Sequence, residues 1–515
     1  MTDRSAADPL TAAPPGGSAG RPPAVVVGGG IAGLLAAYRL ARKGFRPLLL
    51  EARDQLGGPV SSHRLAGLEL DAGAESFATA RPAVAELLTD IGLADQIVSP
   101  APGRAFVHHP DGAWPLPDRA LLGIPADLSA RDVRAVLGDD AAAEAAARDA
   151  VPAPRSVAGL PSTLGPLVRL RMGEAVLHRL VRPVVAGVYA TDPEQLDVNT
   201  VAPGLLEQLA ATGSLAGAVG RLRPAGAPGA AVAGLDGGMW TLTRRLAELV
   251  TAAGGDIRTG APVTQLAKIE DGYQLTVGGS PAADSVTGAV VVLAGGHAAM
   301  RPLLHAAAPV VAPAADRGAG SAVALVTLVL DAPALDAAPR GPGLLVAADD
   351  QPASSGIGAN NANSANTANP VRAKALTHAT AKWPWLAGRL PSGRHVLRLS
   401  YGRDADEVNT ITDAELRAVA LQEAGALLGV PLTTEQLVDT DVIRWSGALP
   451  APSAGHREAV RQFRSRLAAA APTLALVGAG WAGTGLAAVV GDTELQIADL
   501  LRRRDNRATA GTFST

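Results

Sequence analysis

Hydrophobic and polar positions follow a regular order near the start of the chain. Residues 24–27 form a short β-branched run bounded by glycine, which predicts a buried parallel strand. A glycine cluster follows, and apolar positions then recur with the period of an amphipathic helix that ends at Gly44. A second apolar run, residues 47–50, ends in the acidic residue Glu51. This order of strand, glycine turn, helix, strand and acid is that of a βαβ dinucleotide-binding unit.

The glycines of this cluster have separate physical roles in such a unit. Gly28 permits the tight turn, Gly30 lets the backbone approach a pyrophosphate, and Gly33 lets the helix pack closely on the strand. The phosphates would meet the positive end of the helix that begins near Ile31. The Glu51 carboxylate would accept the ribose hydroxyls of an adenosine and repel the 2′-phosphate of NADP. A glycine-rich turn without a ligand is the alternative, but the complete order of elements favours a bound dinucleotide.

The remaining pattern predicts an α/β fold whose first domain is discontinuous in sequence. Residues 82–230 are mostly helical in pattern, whereas strand-like runs between residues 298 and 440 indicate a second, mixed sheet. The runs expected in that sheet are 322–330, 343–347, 372–381 and 394–401, followed by a helix at 413–428 that opens with a capping box. The run 285–294 would close the first sheet. We expect a Rossmann-type domain, a helical subdomain and a mixed-sheet domain, between a disordered leader and a disordered tail. Their expected bounds are 24–81, 231–297 and 441–505 for the first, 82–230 for the second, 298–440 for the third, 1–23 for the leader and 506–515 for the tail.

The composition narrows the possible classes of function. The 515-residue chain has 48% hydrophobic and 18% charged residues, enough to bury more than one core, and its net charge of −3 argues against nucleic-acid binding. The absence of cysteine excludes disulfides, thiolate metal sites, iron–sulfur clusters and a thiol nucleophile. The nine histidines show no metal-ligand spacing, so we expect no bound metal. No apolar run reaches the length of a membrane span, and residues 1–23 lack the apolar core of a signal peptide. We therefore expect a cytoplasmic protein with at most peripheral membrane contact.

A glycine pair and a second glycine turn extend the dinucleotide-binding unit. Gly57 and Gly58 follow Glu51 by a few residues, and Gly73 comes after a short alternating strand. This arrangement resembles the FAD-binding domain of the flavin amine oxidase superfamily, and the resemblance favours FAD over NAD. Pro59 stands where many members of that superfamily carry arginine, which removes a possible cationic contact but leaves the backbone cradle.

Several later segments resemble the family of protoporphyrinogen and coproporphyrinogen oxidases. The segments are HPDGAWPLPDRALLGIPADL at 109–128, RMGEAVLHRLVRPVVAGVYATDPEQL at 171–196, the Lys-Trp-Pro run at 382–384, and the stretches 442–456 and 474–501. The resemblance implies a flavoenzyme of haem biosynthesis that removes six electrons from a porphyrinogen, after which dioxygen reoxidises the flavin and gives hydrogen peroxide. The flavin carries the electron chemistry in such an enzyme, which agrees with the lack of a catalytic Ser, His or Cys constellation in the sequence. The catalytic residues therefore stay undefined.

The same resemblance assigns further residues to the cofactor. The backbone of Val263 would lie against the adenine side of FAD. The helix that starts near Leu486 would direct its positive end toward the flavin pyrimidine ring, where an anion forms on reduction. The candidate cofactor-binding residues are Gly28, Gly30, Ile31, Ala32, Gly33, Glu51, Ala52, Arg53, Gly57, Gly58, Gly73, Ala74, Glu75, Val263, Trp445, Gly480, Thr484, Gly485 and Leu486.

The resemblance also indicates a substrate, coproporphyrinogen III. Family members from high-GC actinobacteria, whose Ala- and Gly-rich composition this chain shares, generally act on it. Its four propionates make it soluble in water and require cationic partners. Candidate partners in or beside the family-like segments are Arg169, Arg171, Arg182, Lys382 and Arg403, each of which could equally be a surface charge. Protoporphyrinogen IX is the alternative substrate. A flavin oxidase of amines or polyenes, and a non-catalytic carrier such as the GDP-dissociation inhibitors, are the other classes.

Overall fold

The structure is a computed structural model that describes residues 21–189, 191–222, 232–278, 284–308, 321–347, 371–402, 408, 410–449 and 455–512. Most of the expected leader and the candidate Arg403 therefore lie outside the described residues.

The strands are β1 Pro23–Val27, β2 Arg46–Leu50, β3 Ser62–Leu65, β4 Leu68–Asp71, β5 Phe77–Ala78, β6 Ile97–Val98, β7 Phe106–His109, β8 Gly112–Pro115, β9 Ala120–Leu121, β10 Ile124–Pro125, β11 Val232–Leu235, β12 Asp256–Arg258, β13 Val263–Ile269, β14 Gly272–Val277, β15 Asp284–Gly288, β16 Val290–Leu293, β17 Ser321–Asp331, β18 Gly343–Val346, β19 Ala375–His378, β20 Arg394–Tyr401, β21 Leu437–Leu449 and β22 Leu474–Leu476.

The helices lie between these strands, and those from α3 to α10 follow one another without an intervening strand. They are α1 Ile31–Arg42, α2 Ala83–Asp90, α3 Arg131–Leu137, α4 Asp139–Ala150, α5 Leu164–Met172, α6 Glu174–Val176, α7 Arg182–Tyr189, α8 Val198–Val201, α9 Leu205–Thr212, α10 Leu215–Leu222, α11 Trp240–Ala252, α12 His297–Ala307, α13 Ala379–Lys382, α14 Pro384–Ala387, α15 Asp413–Leu428, α16 His456–Ala470, α17 Ala479–Ala482 and α18 Leu486–Thr512.

A five-stranded parallel sheet forms the centre of the first domain, in the order β12-β2-β1-β16-β22. One face packs on α1, α2, α11 and α18, and the other packs on α12, α16 and a small sheet formed by β13, β14 and β15. Burial on both faces explains why β16 and β22, like residues 24–27 of β1, are continuous apolar runs. The five strands come from three separated parts of the chain. The expected α/β class with a discontinuous Rossmann-type domain is therefore confirmed.

One expectation for this domain is wrong in detail, and a second stretch of chain also divides between two sheets. The run 285–294 is not one strand, because it divides into β15, which joins the small antiparallel sheet, and β16, which joins the parallel sheet. Val263 opens β13 in the small sheet, so only the preceding β12 pairs with the first sheet. Pro262 explains this second break, because proline has no N–H to continue a ladder.

A seven-stranded mixed sheet, in the order β21-β17-β20-β19-β18-β7-β8, forms the core of the second domain. Its β7–β18 pair is parallel and the other neighbours are antiparallel. The hairpin β7–β8 comes from a region that we expected to be mostly helical, and Pro110 and Asp111 form its two-residue turn. The expected domain bound at residue 441 falls inside β21, which pairs with β17 up to Leu449.

Short helices between α3 and α10 surround a third core and form the helical subdomain. Helix α15 begins with the expected capping box, in which Thr412 and Glu415 bond to each other's backbone. Helix α18 continues to Thr512, so the segment expected to be a disordered tail is helical as far as the structure describes it. Its last described turns are rich in Arg and Ala, which are strong helix formers. Among the described residues, no helix is long and apolar enough to span a membrane.

Candidate cofactor site

Close backbone contacts shape the glycine turn after β1. Gly28 has a φ of +106°, and its N–H donates a hydrogen bond to the Leu50 carbonyl oxygen at 2.7 Å. A Cβ at Gly28 would lie 2.4 Å from the Ala294 carbonyl oxygen, and a Cβ at Gly33 would lie 1.9 Å from the Gly28 carbonyl oxygen. These two positions therefore require glycine for the fold itself.

Gly30 differs because the protein leaves space beside it. Its φ of −72° suits any residue, and the nearest described atom to an added Cβ would be the Gly57 carbonyl oxygen at 4.0 Å. Gly30 is the N-terminal cap of α1, and no side chain in the described part of the chain makes a capping hydrogen bond there. The N–H groups of the first turn, which include those of Ile31 and Ala32, have no partner within the helix. The turn therefore forms an open, electropositive cradle that suits a pyrophosphate.

Glu51 extends from the end of β2 into the same region. Its Oε2 accepts a hydrogen bond from the Gly29 N–H at 2.5 Å, and its Oε1 accepts one from the Arg53 N–H at 2.9 Å. These contacts orient the carboxylate, and each oxygen has a further lone pair for a donor such as a ribose hydroxyl. The Ala261 N–H donates to the Glu51 carbonyl oxygen at 2.8 Å, which brings the segment leading to Val263 beside this residue.

The loop that follows Ala52 and Arg53 packs directly on the glycine turn. Gly57 has a φ of +101° and donates its N–H to the Gly29 carbonyl oxygen at 2.8 Å. Gly58 has a φ of +55°, and a Cβ there would lie 3.6 Å from the Gly30 Cα. The two glycine loops, although separated in sequence, thus form one surface around Gly30.

Pro59 holds the second glycine turn against this surface through its carbonyl oxygen. The Ala74 N–H donates to that oxygen at 2.7 Å, and a Cβ at Gly73 would lie 2.2 Å from it. Trp445 of β21 reaches the same turn, because its Nε1–H donates to the Ala72 carbonyl oxygen at 2.9 Å. The Arg53 guanidinium lies 5.1 Å from the centre of the Trp445 ring, a cation–π distance. The structure therefore brings these four candidates together: Arg53, Gly73, Ala74 and Trp445.

Glu75 lies at the end of this turn in a buried group of charges. Its Oε1 forms an ion pair with the Lys382 ammonium, and its Oε2 lies 3.4 Å from the Arg398 guanidinium. Arg398 also donates a hydrogen bond to the Gly73 carbonyl oxygen. Burial alone would raise the pKa of Glu75, but the positive charges of Lys382 and Arg398 outweigh it and hold the pKa below its usual value. Glu75 is therefore ionised at neutral pH.

Asp71 stands beside this group, and its carboxyl has the opposite pKa shift. Burial raises the pKa of Asp71 to about 7, although the Trp240 N–H donates a hydrogen bond to its Oδ1 at 3.0 Å. Neither Asp71 nor Arg398 was among the site residues that the sequence indicated. A signal for Arg398 was present, because it stands between leucines in the alternating strand β20.

A third glycine turn, residues 478–485, follows β22. It lies at the carboxyl edge of the parallel sheet, because β22 runs parallel to β1 and β16. A Cβ at Gly480 would lie 3.2 Å from the His297 backbone nitrogen, so α17 approaches the start of α12 closely. The turn through Thr484 ends at Gly485, whose φ is +100°, and α18 begins at Leu486. Helix α18 then shares a core with α1, which places both helices on the same face of the sheet.

The candidate propionate partners do not form one cationic group. Arg169 pairs with Glu174 and Glu194 at 2.5 Å each. Arg171 is buried against Asp149 at 3.2 Å, Arg182 lies 3.6 Å from Asp192, and Lys382 pairs with Glu75. Each of these four candidate cations therefore has a carboxylate partner in its own neighbourhood. The described residues also contain no group of three or more His, Asp or Glu side chains that could hold a metal ion.

The glycine turn, the acid after β2 and the second glycine turn have the features of a dinucleotide-binding site, and the comparison with known families identifies the class of protein. Residues 31–492 match the flavin containing amine oxidoreductase family, and the chain belongs to this family. The chain is therefore a flavin-dependent oxidase.

Two named oxidases and one solved structure are similar to this chain over most of its length. A coproporphyrinogen III oxidase of Mycobacterium tuberculosis (strain H37Rv) is 31% identical over 93% of this chain and 97% of its own length. The coproporphyrinogen III oxidase of Mycobacterium leprae is 32% identical over 90% of this chain and 95% of its own length. Among solved structures, a protein of Exiguobacterium sp. 255-15, provisionally assigned as a protoporphyrinogen oxidase, has a TM-score of 0.76 and 26% identity. That similarity covers 93% of this chain and 98% of the Exiguobacterium protein.

Proposed function

We propose that this chain is an FAD-dependent oxidase that converts coproporphyrinogen III to coproporphyrin III, with dioxygen as electron acceptor and hydrogen peroxide as product. The observation that carries the proposal is the full-length similarity to oxidases of that substrate, combined with an intact dinucleotide cradle. The protoporphyrinogen oxidase assignment of the Exiguobacterium relative supports the same class of macrocyclic substrate.

The described residues are compatible with FAD as the bound dinucleotide. The open space beside Gly30 and the uncapped start of α1 suit a diphosphate, and Glu51 has acceptor capacity for an adenosine ribose. When bound, FAD would supply the two-electron chemistry of each oxidation step. The protein would orient the flavin through the turns at Gly57 and Gly73, while the start of α18 would place a positive helix end near it.

Anaerobic mixing tests the proposal directly. Purified protein carrying its yellow cofactor is mixed with coproporphyrinogen III without oxygen, and the flavin absorbance is followed. We expect rapid bleaching, and then return of the colour together with hydrogen peroxide and porphyrin fluorescence when air is admitted. Bleaching by an amine or a polyene, but not by either porphyrinogen, would show a different flavin oxidase. A colourless protein that binds no FAD would indicate a carrier.

A further inference from the structure

Two cations of the second domain reach into the loop at 73–75 of the first domain. Lys382 ends α13, and Arg398 stands in the middle of β20. Both contact Glu75, and the three side chains are 17% exposed or less. Arg398 adds a hydrogen bond to the Gly73 carbonyl oxygen, so it holds the backbone of the loop as well as its side chain.

The loop is fixed from its other side by the first domain. Gly73 packs on the Pro59 carbonyl oxygen too closely for any side chain, and the Ala74 N–H bonds to the same oxygen. The position of the loop is thus set jointly by Pro59 on one side and by Lys382 and Arg398 on the other. Removing one partner of a buried ion pair leaves an uncompensated charge, so this arrangement is costly to disturb.

A chain of hydrogen bonds holds the helix that carries Lys382. His378, the residue before α13, lies 3.0 Å from His395 between the ring nitrogens Nε2 and Nδ1, and the His395 Nε2 lies 3.0 Å from the Asp336 carboxylate. Burial lowers the pKa of His378 to about 4, so its ring is neutral at physiological pH. At the other end of α13, the Ala101 N–H donates to the Lys382 carbonyl oxygen at 2.8 Å. These contacts fix the Lys382 backbone independently of the ion pair between its side chain and Glu75.

We propose that Lys382 and Arg398 are positioning residues for the cofactor: from the second domain, they hold the loop at 73–75 in the conformation that binds FAD. Retention of FAD would then depend on side chains of the second domain. This proposal rests on the proposed function, both for the identity of the cofactor and for the contact of the loop at 73–75 with it. If Lys382 has this role, its ammonium is not available to bind a substrate propionate.

The test measures the dissociation constant of FAD from apoprotein, by quenching of FAD fluorescence, at a temperature where circular dichroism shows every variant to be folded. The variants are Lys382→Met, Glu75→Gln and the double variant. Arg394→Gln is the control, because Arg394 is also a cation of the second domain but pairs with the exposed Asp331 and not with Glu75. We expect Lys382→Met and Glu75→Gln each to weaken FAD binding about tenfold, and the control to leave it unchanged.

The double variant separates this proposal from its competitors. If the two side chains act through one contact, the double variant should lose about tenfold, like each single variant, rather than about a hundredfold. Additive losses, or an unchanged dissociation constant in both single variants, would overturn the proposal. A rise of KM for coproporphyrinogen III at saturating FAD, with FAD affinity unchanged, would instead indicate that Lys382 binds the substrate.

Should Lys382→Met fail to fold, the double variant and Lys382→Arg give the same comparison, with the arginine expected to retain FAD. Failure of the unsubstituted apoprotein to bind FAD would refute the proposed function together with this inference.

Discussion

At the residue scale, the structure separates glycines that the fold requires from the glycine that a ligand would require. A Cβ at Gly28 or Gly33 collides with backbone atoms, whereas a Cβ at Gly30 meets open space. All three positions are glycine, so the sequence motif alone does not distinguish them. The distinction matters for experiments, because substitution at Gly30 can report on the cofactor without disturbing the fold.

Gly30→Val should therefore yield folded but colourless protein. The valine side chain would occupy the cradle at the start of α1, while the φ of −72° imposes no strain. The measurement is the flavin absorbance per protein after purification, together with the melting temperature of the apoprotein. Gly33→Ala is the control, and it should lower the melting temperature because its Cβ meets the Gly28 carbonyl oxygen. A Gly30→Val protein with near wild-type flavin absorbance would contradict this geometry.

Replacement of Glu51 should weaken FAD binding specifically. Glu51→Gln removes the negative charge and one strong acceptor, which should cost about 1–3 kcal/mol of FAD affinity. The dissociation constant of FAD from apoprotein measures this effect. Glu435→Gln, an exposed substitution in the second domain, is the matched control. An unchanged dissociation constant in Glu51→Ala would remove Glu51 from the site.

Asp71 should make the stability of the apoprotein depend on pH. Its pKa is about 7 in the folded protein and 3.8 ordinarily, so the folded protein binds more protons than the unfolded chain between those values. The contribution of Asp71 to stability is therefore present at low pH and falls as the pH rises from about 4 to about 7. Asp71→Asn, which stays neutral, should be more stable than wild type at pH 8 and similar to it near pH 4, as melting temperatures would show. The exposed Asp95→Asn should show no such crossover, and an identical pH profile for wild type and Asp71→Asn would disprove the assignment.

At the element scale, strong local signals predicted structure well and weak ones did not. The βαβ unit and α15 have complete patterns, with a glycine stop after each helix and a capping box at the start of α15, and both form as expected. The hairpin β7–β8 was missed because each strand has four residues, too few for a clear period. The break between β15 and β16 follows from pairing with two different sheets, and such tertiary pairing leaves no local pattern.

The capping box of α15 gives a prediction at this scale. Thr412→Ala removes the side chain that accepts the Glu415 N–H, which should lower the free energy of unfolding by about 1 kcal/mol. Chemical denaturation measures the loss, and FAD affinity should not change because α15 lies outside the cofactor site. Thr251→Ala, at an exposed position inside α11, should stay within about 0.5 kcal/mol of wild type. A Thr412→Ala loss no larger than that of Thr251→Ala would show that the cap is not stabilising.

At the scale of the whole molecule, the sequence predicted the class of fold but not how its parts meet. The cofactor candidates came from local glycine and acid motifs, which survive in any arrangement of domains. The ion pairs of Glu75 join residues more than 300 positions apart in sequence, and no single-sequence pattern relates them. The same limit explains why the carboxylate partners of the candidate cations were not predicted. Arg169, Arg171 and Arg182 were chosen by their position in family-like segments, whereas their carboxylate partners are set by packing within the helical subdomain.

The preference between two porphyrinogens is the prediction that belongs to the whole molecule. Coproporphyrinogen III carries four propionates, whereas protoporphyrinogen IX has two propionates and two vinyl groups. If the site binds the additional propionates by charge-assisted hydrogen bonds, each worth about 1.5 kcal/mol or more, kcat/KM should favour coproporphyrinogen III by more than tenfold. Initial rates in air, with FAD at saturation, measure the ratio for both substrates. Raising the ionic strength should reduce the ratio if exposed charges contribute to it. A higher kcat/KM for protoporphyrinogen IX would refute the preference and leave the porphyrinogen oxidase class intact, since both substrates require the same flavin chemistry.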